Sequence, residues 1–416
     1  MPTGNVPTPS AANDTLLSDV SARLDQYSDW HDGPLAVAVS GGSDSTALLL
    51  LAARWAKSRG REIIAVSVDH MLREESAAEI QSVKHLCARL GVAHKSVLWR
   101  RPPATLMVTQ ADARAARYGL LAAMSKSAGA QYVLTGHTLD DDLETFLIRA
   151  RSGSGWYGLA GMSEVAPVPV WPTGRDVLIC RPLLTQSRQA LRDWLADQKQ
   201  SWIDDPSNKK PKFERVRVRQ AIARQTKIRE RIHRIQARLK VLRQAEDRRL
   251  AAYMATQLRA DEHGAIEISG EWPDQSLLER VLFWLCQVAS GNVTPPRGEE
   301  LTRLAWQLRS GEIGRGATLG GARLWKRQGV WWAGRDPGAV DQEESPEPGR
   351  PWDRRFGILD PLELTRPLSD LQPNLRRVVP SQDGMLVAAQ CIVGERLERL
   401  VFSFDKFCLE DLSSYS

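Results

Sequence analysis

A turn of glycine, serine and aspartate interrupts an apolar run near the start of the chain. The segment "SGGSDS" covers residues 40–45, between a predicted strand over 34–40 and a predicted helix over 44–59. Glycines let the backbone bend tightly, and the helix that follows offers unpaired N–H groups and the positive end of its dipole. The turn therefore predicts a phosphate site, to which serine hydroxyls add donors. The residues predicted to bind there are Ser40, Gly41, Gly42, Ser43, Asp44 and Ser45.

This turn differs from the common G-x-x-x-x-G-K-[ST] phosphate loop because it has no lysine. A loop that holds phosphate by backbone and hydroxyl groups, with a metal supplying positive charge, suits a reaction in which ATP releases pyrophosphate. A carboxylate inside a phosphate loop is repulsive unless it meets a cation. Asp44 therefore predicts Mg²⁺ or an ammonium group beside it. The alternative is that the two glycines make only a connection between strand and helix.

A second cluster of polar residues lies in "GHTLDDDLETFLIR", residues 136–149. If 140–150 is helical, Asp141 and Glu144 share one face, with His137 and Asp140 at the helix start. Acidic residues are favoured at a helix N-terminus, which is the simpler explanation for Asp140. It explains three consecutive acids followed by Glu144 less well. Clustered carboxylates require a cation, so this segment predicts a cation-binding site.

Four apolar runs, each followed by a helical pattern, place these residues on an α/β fold. The predicted strands are 34–40, 62–70, 94–100 and 131–137, and the predicted helices are 44–59, 74–90, 109–127 and 140–150. Strands that are apolar on both faces and alternate with helices indicate a parallel sheet covered on both sides. Asp69 and His70 end the second strand at the edge that carries the turn, where ligands bind in such folds.

Composition narrows the class of protein. The 416 residues suffice for two or three domains, and no run approaches the ~18 apolar residues of a membrane span. Since no signal peptide is recognisable either, a soluble cytoplasmic protein without a membrane partner is expected. The five cysteines are far apart and form no C-x-x-C pair, which disfavours a structural zinc site or an iron–sulfur cluster. Buried, reduced thiols are expected instead.

Positive charge is concentrated in one segment. The chain carries a net charge of +6, yet residues 209–249 hold 16 Lys or Arg against 4 Asp or Glu. This block predicts a polyanionic partner, and a solvated helix face is the alternative. Residues 214–310 show a helical pattern. The apolar stripe predicted on the helix over this block consists of Ile232, Ile235, Leu239 and Leu242.

The predicted organisation has five segments. Residues 1–14 are expected to be disordered, 15–215 to form the nucleotide-binding domain, and 216–333 a basic helical domain. The Pro/Gly-rich stretch 334–351 is a predicted linker, and 352–416 a small C-terminal α+β domain.

Several motifs together resemble one family of ATP-using enzymes. The "SGGSDS" turn resembles the S-G-G-x-D-S signature of the PP-loop ATP pyrophosphatases, whose domain is adenine nucleotide alpha hydrolase-like. "DHMLREES" (69–76) resembles D-H-x-L-R-x-E-S, "GHTLDDDLET" (136–145) resembles G-H-x-x-D-D-x-x-E-T, and "ARAARY" (113–118) resembles A-R-x-x-R-Y. With "RPLL" at 181–184 and "WIDDPSN" at 202–208, these are similar to the tRNA(Ile)-lysidine synthetase branch of the family.

The resemblance implies a reaction and a set of roles. ATP with Mg²⁺ adenylylates the wobble cytidine of CAU-anticodon isoleucine tRNA, and free L-lysine then attacks. It implies that Asp44, Asp141 and Glu144 hold the lysine. Either Arg114 or Arg117, three apart on one helix, is expected to meet the lysine carboxylate or the phosphate charge. Asp69, His70 and His137 are expected at the ATP site. No separate metal site is implied. The residues predicted to contact tRNA phosphates are Arg215, Arg217 and Arg219.

Three alternatives remain open at this point. A tRNA-thiolating member of the same fold would need a catalytic cysteine or C-x-x-C pair, and GMP or NAD synthetases need ammonia and no basic RNA-binding block. A catalytically decayed RNA-binding homologue is the third. A homodimer is neither required nor excluded by the sequence.

Overall fold

The computed structural model describes two compact units. One comprises Met1–Val168 with Asp176–Arg243, and the other Pro169–Arg175 with Gln244–Ser414. The described residues are 11–69, 76–99, 109–204, 214–222, 225–314, 316–340, 353–356, 364–367, 381–382, 385–387 and 391–406.

The first unit is built on a six-stranded sheet. Its strands are β1 (Leu35–Ala38), β2 (Ile63–Asp69), β3 (Ala93–Leu98), β4 (Tyr132–Leu134), β5 (Val165–Pro167) and β6 (Leu178–Cys180). They are ordered β3-β2-β1-β4-β6-β5. All neighbours are parallel except β5, which is antiparallel to β6. The parallel α/β fold predicted from the sequence is confirmed.

Nine helices accompany this sheet in the described part of the chain. They are α1 (Ala11–Ser28), α2 (Ser43–Arg59), α3 (Ser76–Leu90), α4 (Gln110–Lys126), α5 (Leu139–Arg151), α6 (Trp156–Leu159), α7 (Arg188–Asp197), α8 (Glu214–Ile222) and α9 (Thr226–Gln257). The last of these, α9, continues into the second unit. The four predicted strand–helix pairs match β1–α2, β2–α3, β3–α4 and β4–α5 within a few residues.

Helix α1 begins inside the segment predicted to be disordered. Its apolar side chains Leu16, Val20, Leu24 and Tyr27 recur at helical spacing and are all buried. Burying four such side chains offsets the entropy of ordering the helix, which the polar start of the sequence does not suggest. Residues 11–14 are therefore helical, and residues 1–10 lie outside the described part.

The second unit contains a sheet where the sequence predicts a helical domain. Strands β7 (Leu258–Ala260), β8 (Ile266–Ile268), β9 (Gly316–Leu319), β10 (Ala322–Arg327) and β11 (Val330–Arg335) form a sheet in the order β7-β8-β11-β10-β9. Helices α10 (Gln275–Ser290) and α11 (Gly298–Ser310) account for much of the helical pattern. The helical domain predicted over 216–333 thus also contributes to a five-stranded sheet. Strands of three to six residues are too short to separate from helix by periodicity.

The C-terminal tail belongs to this second unit. Strands β12 (Leu364–Pro367), β13 (Ser381–Gln382) and β14 (Met385–Val387) form a small sheet, followed by α12 (Val393–Lys406). Val393, Leu397 and Leu400 of α12 are buried in the same core as Leu278 and Leu285 of α10. The structure thus differs from the prediction of a separate domain over 352–416. The predicted linker begins inside β11, and its residues 341–351 lie outside the described part.

The described cysteines match the expectation of buried thiols for the most part. Cys87, Cys180 and Cys286 are buried, Cys391 is half-buried, and Cys408 lies outside the described residues. Burial raises the pKa of the Cys87 thiol to about 11 and that of Cys286 to about 12. Within the described residues, none of the helices has the length and apolar character needed to cross a membrane.

Candidate active site

The carboxyl ends of β1, β2 and β4 bring the sequence motifs to one edge of the sheet. Asp69 is the last residue of β2, while His70 lies outside the described residues. After β4, the chain passes close to the first turn of α2. A Cβ on Gly136 would stand 3.0 Å from backbone atoms of Asp44 and Ser45, so a larger residue would push the two segments apart by a few tenths of an ångström.

The predicted phosphate turn has the geometry of an anion site. Gly41 has a φ of +82°, and a Cβ there would lie 2.5 Å from Cδ1 of Ile203. Gly42 is the N-cap of α2 and makes no side-chain cap hydrogen bond. The first-turn N–H groups therefore point out of α2 without a capping side chain, at the positive end of the helix dipole.

The serine hydroxyls shape this turn from inside. Ser45 Oγ accepts a hydrogen bond from the Ser40 backbone N–H at 3.2 Å and donates to the Gly42 carbonyl at 3.2 Å. Ser43 Oγ donates to Oδ1 of Asp44 at 2.9 Å. Two of these serines, Ser43 and Ser45, are buried and Ser40 is exposed. The hydroxyls thus fix the loop conformation, and the backbone N–H groups remain the principal donors for an anion.

Three carboxylates converge on a single guanidinium group. The Arg188 side chain donates from Nε to Asp44 Oδ2 at 2.9 Å and from Nη2 to Asp141 Oδ1 at 3.0 Å. Its Nη1 lies 3.6 Å from Glu144 Oε1. Asp44 comes from the phosphate turn, and the other two acids come from one face of α5. The predicted cluster of Asp44, Asp141 and Glu144 is thus assembled around a cation.

Sequence reasoning missed Arg188. Arg188 is the first residue of α7, which packs against α2. It lies seven residues after Arg181, the first residue of the "RPLL" stretch. A second arginine one turn further on, Arg192, places Nε 3.4 Å from Ser43 Oγ. The i, i+4 spacing of two arginines in "SRQALR" is the signal that could have indicated an anionic neighbour.

Glu144 is also held by arginines of α8. Arg219 donates from Nε to Glu144 Oε1 at 2.6 Å, and Arg215 Nε lies 3.7 Å from Oε2. In a helix these two share one face, whereas Arg217 projects elsewhere and is exposed. The structure therefore separates the three arginines predicted to contact tRNA, because alternation along the sequence does not place residues together on a helix.

The other two acids of the "DDD" run anchor neighbouring segments. Asp140 accepts hydrogen bonds from the Arg188 backbone N–H at 2.7 Å and from Arg229 Nη2 at 2.6 Å. Asp142, fully buried, accepts from the Met162 backbone N–H at 2.6 Å and pairs with Lys240 at 2.8 Å. Asp140 thus fixes the start of α7 and with it the position of Arg188.

Local charges set the protonation of the site. Burial tends to raise the pKa of Asp141, but Arg188 and hydrogen bonds from Thr138 outweigh it and lower the pKa. Thr138 donates to Asp141 Oδ2 from its backbone N–H at 3.0 Å and from Oγ1 at 2.9 Å. Burial, followed by the charge of Arg181, lowers the pKa of His137 to about 3. The site therefore presents ionised Asp141 and a neutral imidazole at physiological pH.

Comparison with known proteins agrees with this geometry. Residues 16–226 match the family model described as "PP-loop domain". A tRNA(Ile)-lysidine synthase of Hyphomonas neptunium is 46% identical over 71% of this chain and 80% of its own length. One from Brucella anthropi is 31% identical over 95% and 91%. One from Mesorhizobium japonicum is 44% identical over 49% of this chain and 45% of its own length.

The chain belongs to the tRNA(Ile)-lysidine synthase family. Two of the motifs that resemble this family, residues 40–45 and 136–145, meet at the carboxyl edge of the sheet. The phosphate turn and the acid cluster of α5 meet there through Arg188.

Arg114, expected near the reacting groups from the family motif, makes a different contact. It is exposed on α4, donates from Nη2 to Tyr118 Oη at 3.2 Å, and lies 5.0 Å from the Tyr118 ring centroid. Among the hydrogen bonds and ion pairs of the described residues, none joins Arg114 to the three carboxylates. Its predicted role stays a prediction.

Helix α9 carries a row of exposed cations. Four exposed cations recur at i, i+4, i+7 and i+11, which places them on one side of the helix. They are Lys227, Arg231, Arg234 and Arg238, called the α9 basic face below.

The apolar stripe predicted on α9 is only partly buried. Ile232 is 6% exposed, but Ile235 is 40% and Leu242 is 57% exposed. The buried side of the helix instead carries Ile232, Gln236 and Arg243, and Arg243 donates to the Gly161 carbonyl at 2.8 Å. The stripe prediction is wrong because polar side chains with backbone partners occupy the inward face.

Proposed function

We propose that this chain is an ATP-dependent, AMP-forming ligase that joins free L-lysine to C2 of the wobble cytidine in CAU-anticodon isoleucine tRNA. The observation that supports it most is the cation site formed by Asp44, Asp141 and Glu144 directly beside a phosphate turn. A phosphate site alone fits many nucleotide-using enzymes. A buried tricarboxylate next to it fits one whose second substrate is an amine.

The proposed reaction has two steps. O2 of the cytidine attacks the α-phosphate of ATP, which breaks the bond to the β-phosphate and releases pyrophosphate. The adenylated C2 is then attacked by the ε-amine of lysine, the bond from C2 to O2 breaks, and AMP leaves. The α2 N-terminus and Gly41–Gly42 would hold the phosphates through backbone N–H groups, as helix N-termini do for anions.

The carboxylates have a double task in this scheme. They bind the lysine as its charged ammonium, and the amine must lose a proton before it attacks. Asp141 is a poor acceptor because Arg188 and Thr138 lower its pKa. We therefore assign Asp141 the role of an anchor for the ammonium. Glu144, 1% exposed on the same helix face, is paired with Arg219 and would accept the proton only after that ion pair opens.

Mg²⁺ is treated as part of the ATP substrate. The described residues contain no group of three or more His, Cys, Asp or Glu arranged to hold a metal ion. Asp44 lies within the phosphate turn, in the first turn of α2, and therefore borders the bound nucleotide as well as the ammonium site.

The tRNA would lie along the α9 basic face. Its four exposed cations recur over three turns of helix, and phosphate contacts of this kind supply affinity without sequence readout. The target base must leave its stack to reach the tricarboxylate site.

Substrate dependence of pyrophosphate release tests this function. The full chain should release pyrophosphate only when ATP and CAU-anticodon isoleucine tRNA are both present, and AMP should accumulate only when lysine is added. Pyrophosphate release at the same rate with and without the tRNA would contradict the proposal. A methionine tRNA with the same anticodon is the matched control, because it carries the same reactive base.

A further inference from the structure

Arg188 occupies the position in which the proposed function, on which this inference rests, puts the substrate ammonium. A lysine ammonium has three N–H donors, and the Arg188 side chain uses three nitrogen atoms, one toward each carboxylate. The Arg188 side chain is 14% exposed, and its guanidinium sits among all three acids. One set of carboxylate oxygens cannot serve both cations at once.

The formal charges of the cluster also indicate that Arg188 and the ammonium cannot be bound together. Three carboxylates, those of Asp44, Asp141 and Glu144, face three guanidinium groups, those of Arg188, Arg215 and Arg219, and their charges cancel. An ammonium added to this neutral, largely buried cluster lacks a counter-charge. If Arg188 withdraws, one negative charge remains, which matches a single ammonium.

The phosphate turn lies next to the Arg188 guanidinium and offers it a second binding position. Its partner Asp44 belongs to the first turn of α2, so the guanidinium already borders the phosphate turn. Arg192, one turn along α7, reaches the same turn through Ser43. Arginine binds phosphate and carboxylate through the same fork of N–H donors. A nucleotide phosphate bound at the α2 N-terminus would therefore compete with the acids for Arg188.

The backbone of Arg188 is held by contacts that do not involve its side chain. Its N–H donates to Asp140 at 2.7 Å, and Ser187 caps α7 through the Ala190 N–H. Burial alone would lower the pKa of the guanidinium, but Asp141, Asp44 and Glu144 raise it, so the group stays charged whether it faces carboxylates or phosphate. The side chain can change partner without moving the helix.

We propose that Arg188 makes lysine binding depend on the nucleotide. Without ATP its guanidinium fills the ammonium site. When ATP occupies the phosphate turn, Arg188 turns to the phosphates and releases Asp44, Asp141 and Glu144 to the substrate. Lysine thus enters a site that already holds the nucleotide.

The test measures equilibrium binding of radiolabelled L-lysine to the full chain, without nucleotide and with saturating α,β-methylene ATP, which cannot release pyrophosphate. In the wild type the nucleotide should tighten lysine binding by roughly 5- to 150-fold, the range usual for coupled sites. In Arg188→Gln, lysine should bind equally well in both conditions, with an affinity near that of the nucleotide-bound wild type. Gln189→Ala, at the exposed neighbouring position, should keep the wild-type coupling.

The outcomes separate this inference from the function beneath it. Wild-type coupling in Arg188→Gln overturns the inference, and so does loss of lysine binding by that variant in both conditions. Lysine that binds the wild type equally with and without nucleotide overturns the inference and leaves the proposed function intact. Lysine that never binds the nucleotide-bound wild type contradicts the proposed function itself.

A measurement on the wild type covers the case in which Arg188→Gln does not fold. Coupling is reciprocal, so lysine must tighten binding of α,β-methylene ATP by the same factor. Arg188→Lys keeps a cation but loses the fork that spans three acids, and its coupling should fall between that of wild type and none. No effect of lysine on nucleotide affinity would overturn the inference.

Discussion

Arg219 holds the buried carboxylate of Glu144 with two hydrogen bonds. Its Nε donates to Oε1 at 2.6 Å and its Nη2 to Oε2 at 3.3 Å. The Glu144 side chain is 1% exposed, whereas that of Arg219 is 36% exposed. The Arg219 guanidinium therefore compensates the negative charge of a carboxylate that is shielded from water. The contact also links α8 to α5.

Loss of this pair should destabilise the fold. Arg219→Ala leaves a buried acceptor with weaker partners, a change that costs about 1–3 kcal/mol in the free energy of unfolding. Gln220→Ala, an exposed position on the same short helix, should stay within about 0.5 kcal/mol of wild type. Urea denaturation of both variants measures the difference. Equal losses would show that the contact with Glu144 contributes nothing of its own.

Asp141 should be needed for lysine rather than for ATP. Asp141→Asn keeps the side-chain shape but removes the charge that would face the ammonium. Removing a charge-assisted hydrogen bond raises the KM for lysine by roughly 10- to 100-fold. Nucleotide affinity should change little. Asp193→Asn, an exposed acid on α7, is the control. A normal lysine KM in Asp141→Asn would remove this residue from the ammonium site.

The α9 basic face should carry the salt dependence of tRNA binding. Replacing its four cations by Gln should weaken tRNA binding. The negative slope of log K against log salt should become shallower by roughly 0.7–0.9 for each phosphate that is no longer neutralised. A filter-binding series across salt concentrations measures this. The control replaces four exposed cations on α2 and α3 and should leave the slope unchanged. These are Arg54, Lys57, Lys84 and Arg89. Equal slopes for both variants would exclude the α9 basic face as the tRNA-binding surface.

His137 should make the fold less stable in acid. Its pKa is about 3 in the folded chain because of burial and the charge of Arg181, against about 6.5 when unfolded. Between those values the unfolded chain binds one more proton, so the contribution to stability is complete above 6.5 and is lost as the pH falls. Between pH 7 and 5 the wild type should lose about 2 kcal/mol more than His137→Asn. Urea midpoints at the two pH values measure it, and parallel losses would contradict the shifted pKa.

The parallel sheet and the edge that holds the site could be predicted from the sequence. Long apolar runs followed by helical periodicity located β1–α2 and β4–α5, and strand ends fixed which residues meet at the edge. Asp141 and Glu144 were predicted on one helix face, and both contact Arg188.

The partners of Arg188 could not be predicted from local spacing. Its partners Asp44 and Asp141 lie 144 and 47 residues away in sequence, and only the packing of α7 on α2 brings them together. The strands of the second unit could not be predicted for a different reason. Short strands such as β8, with three residues, carry too few positions to show a period of two.

One measurement tests the central claim most directly. Radiolabelled L-lysine is incubated with the full chain and CAU-anticodon isoleucine tRNA, with and without ATP, and label in the tRNA is counted. The tricarboxylate beside the phosphate turn predicts label only when ATP is present, and none with Asp141→Ala, provided that this variant still folds and binds ATP. ATP bound and hydrolysed with no lysine in the tRNA would contradict the account.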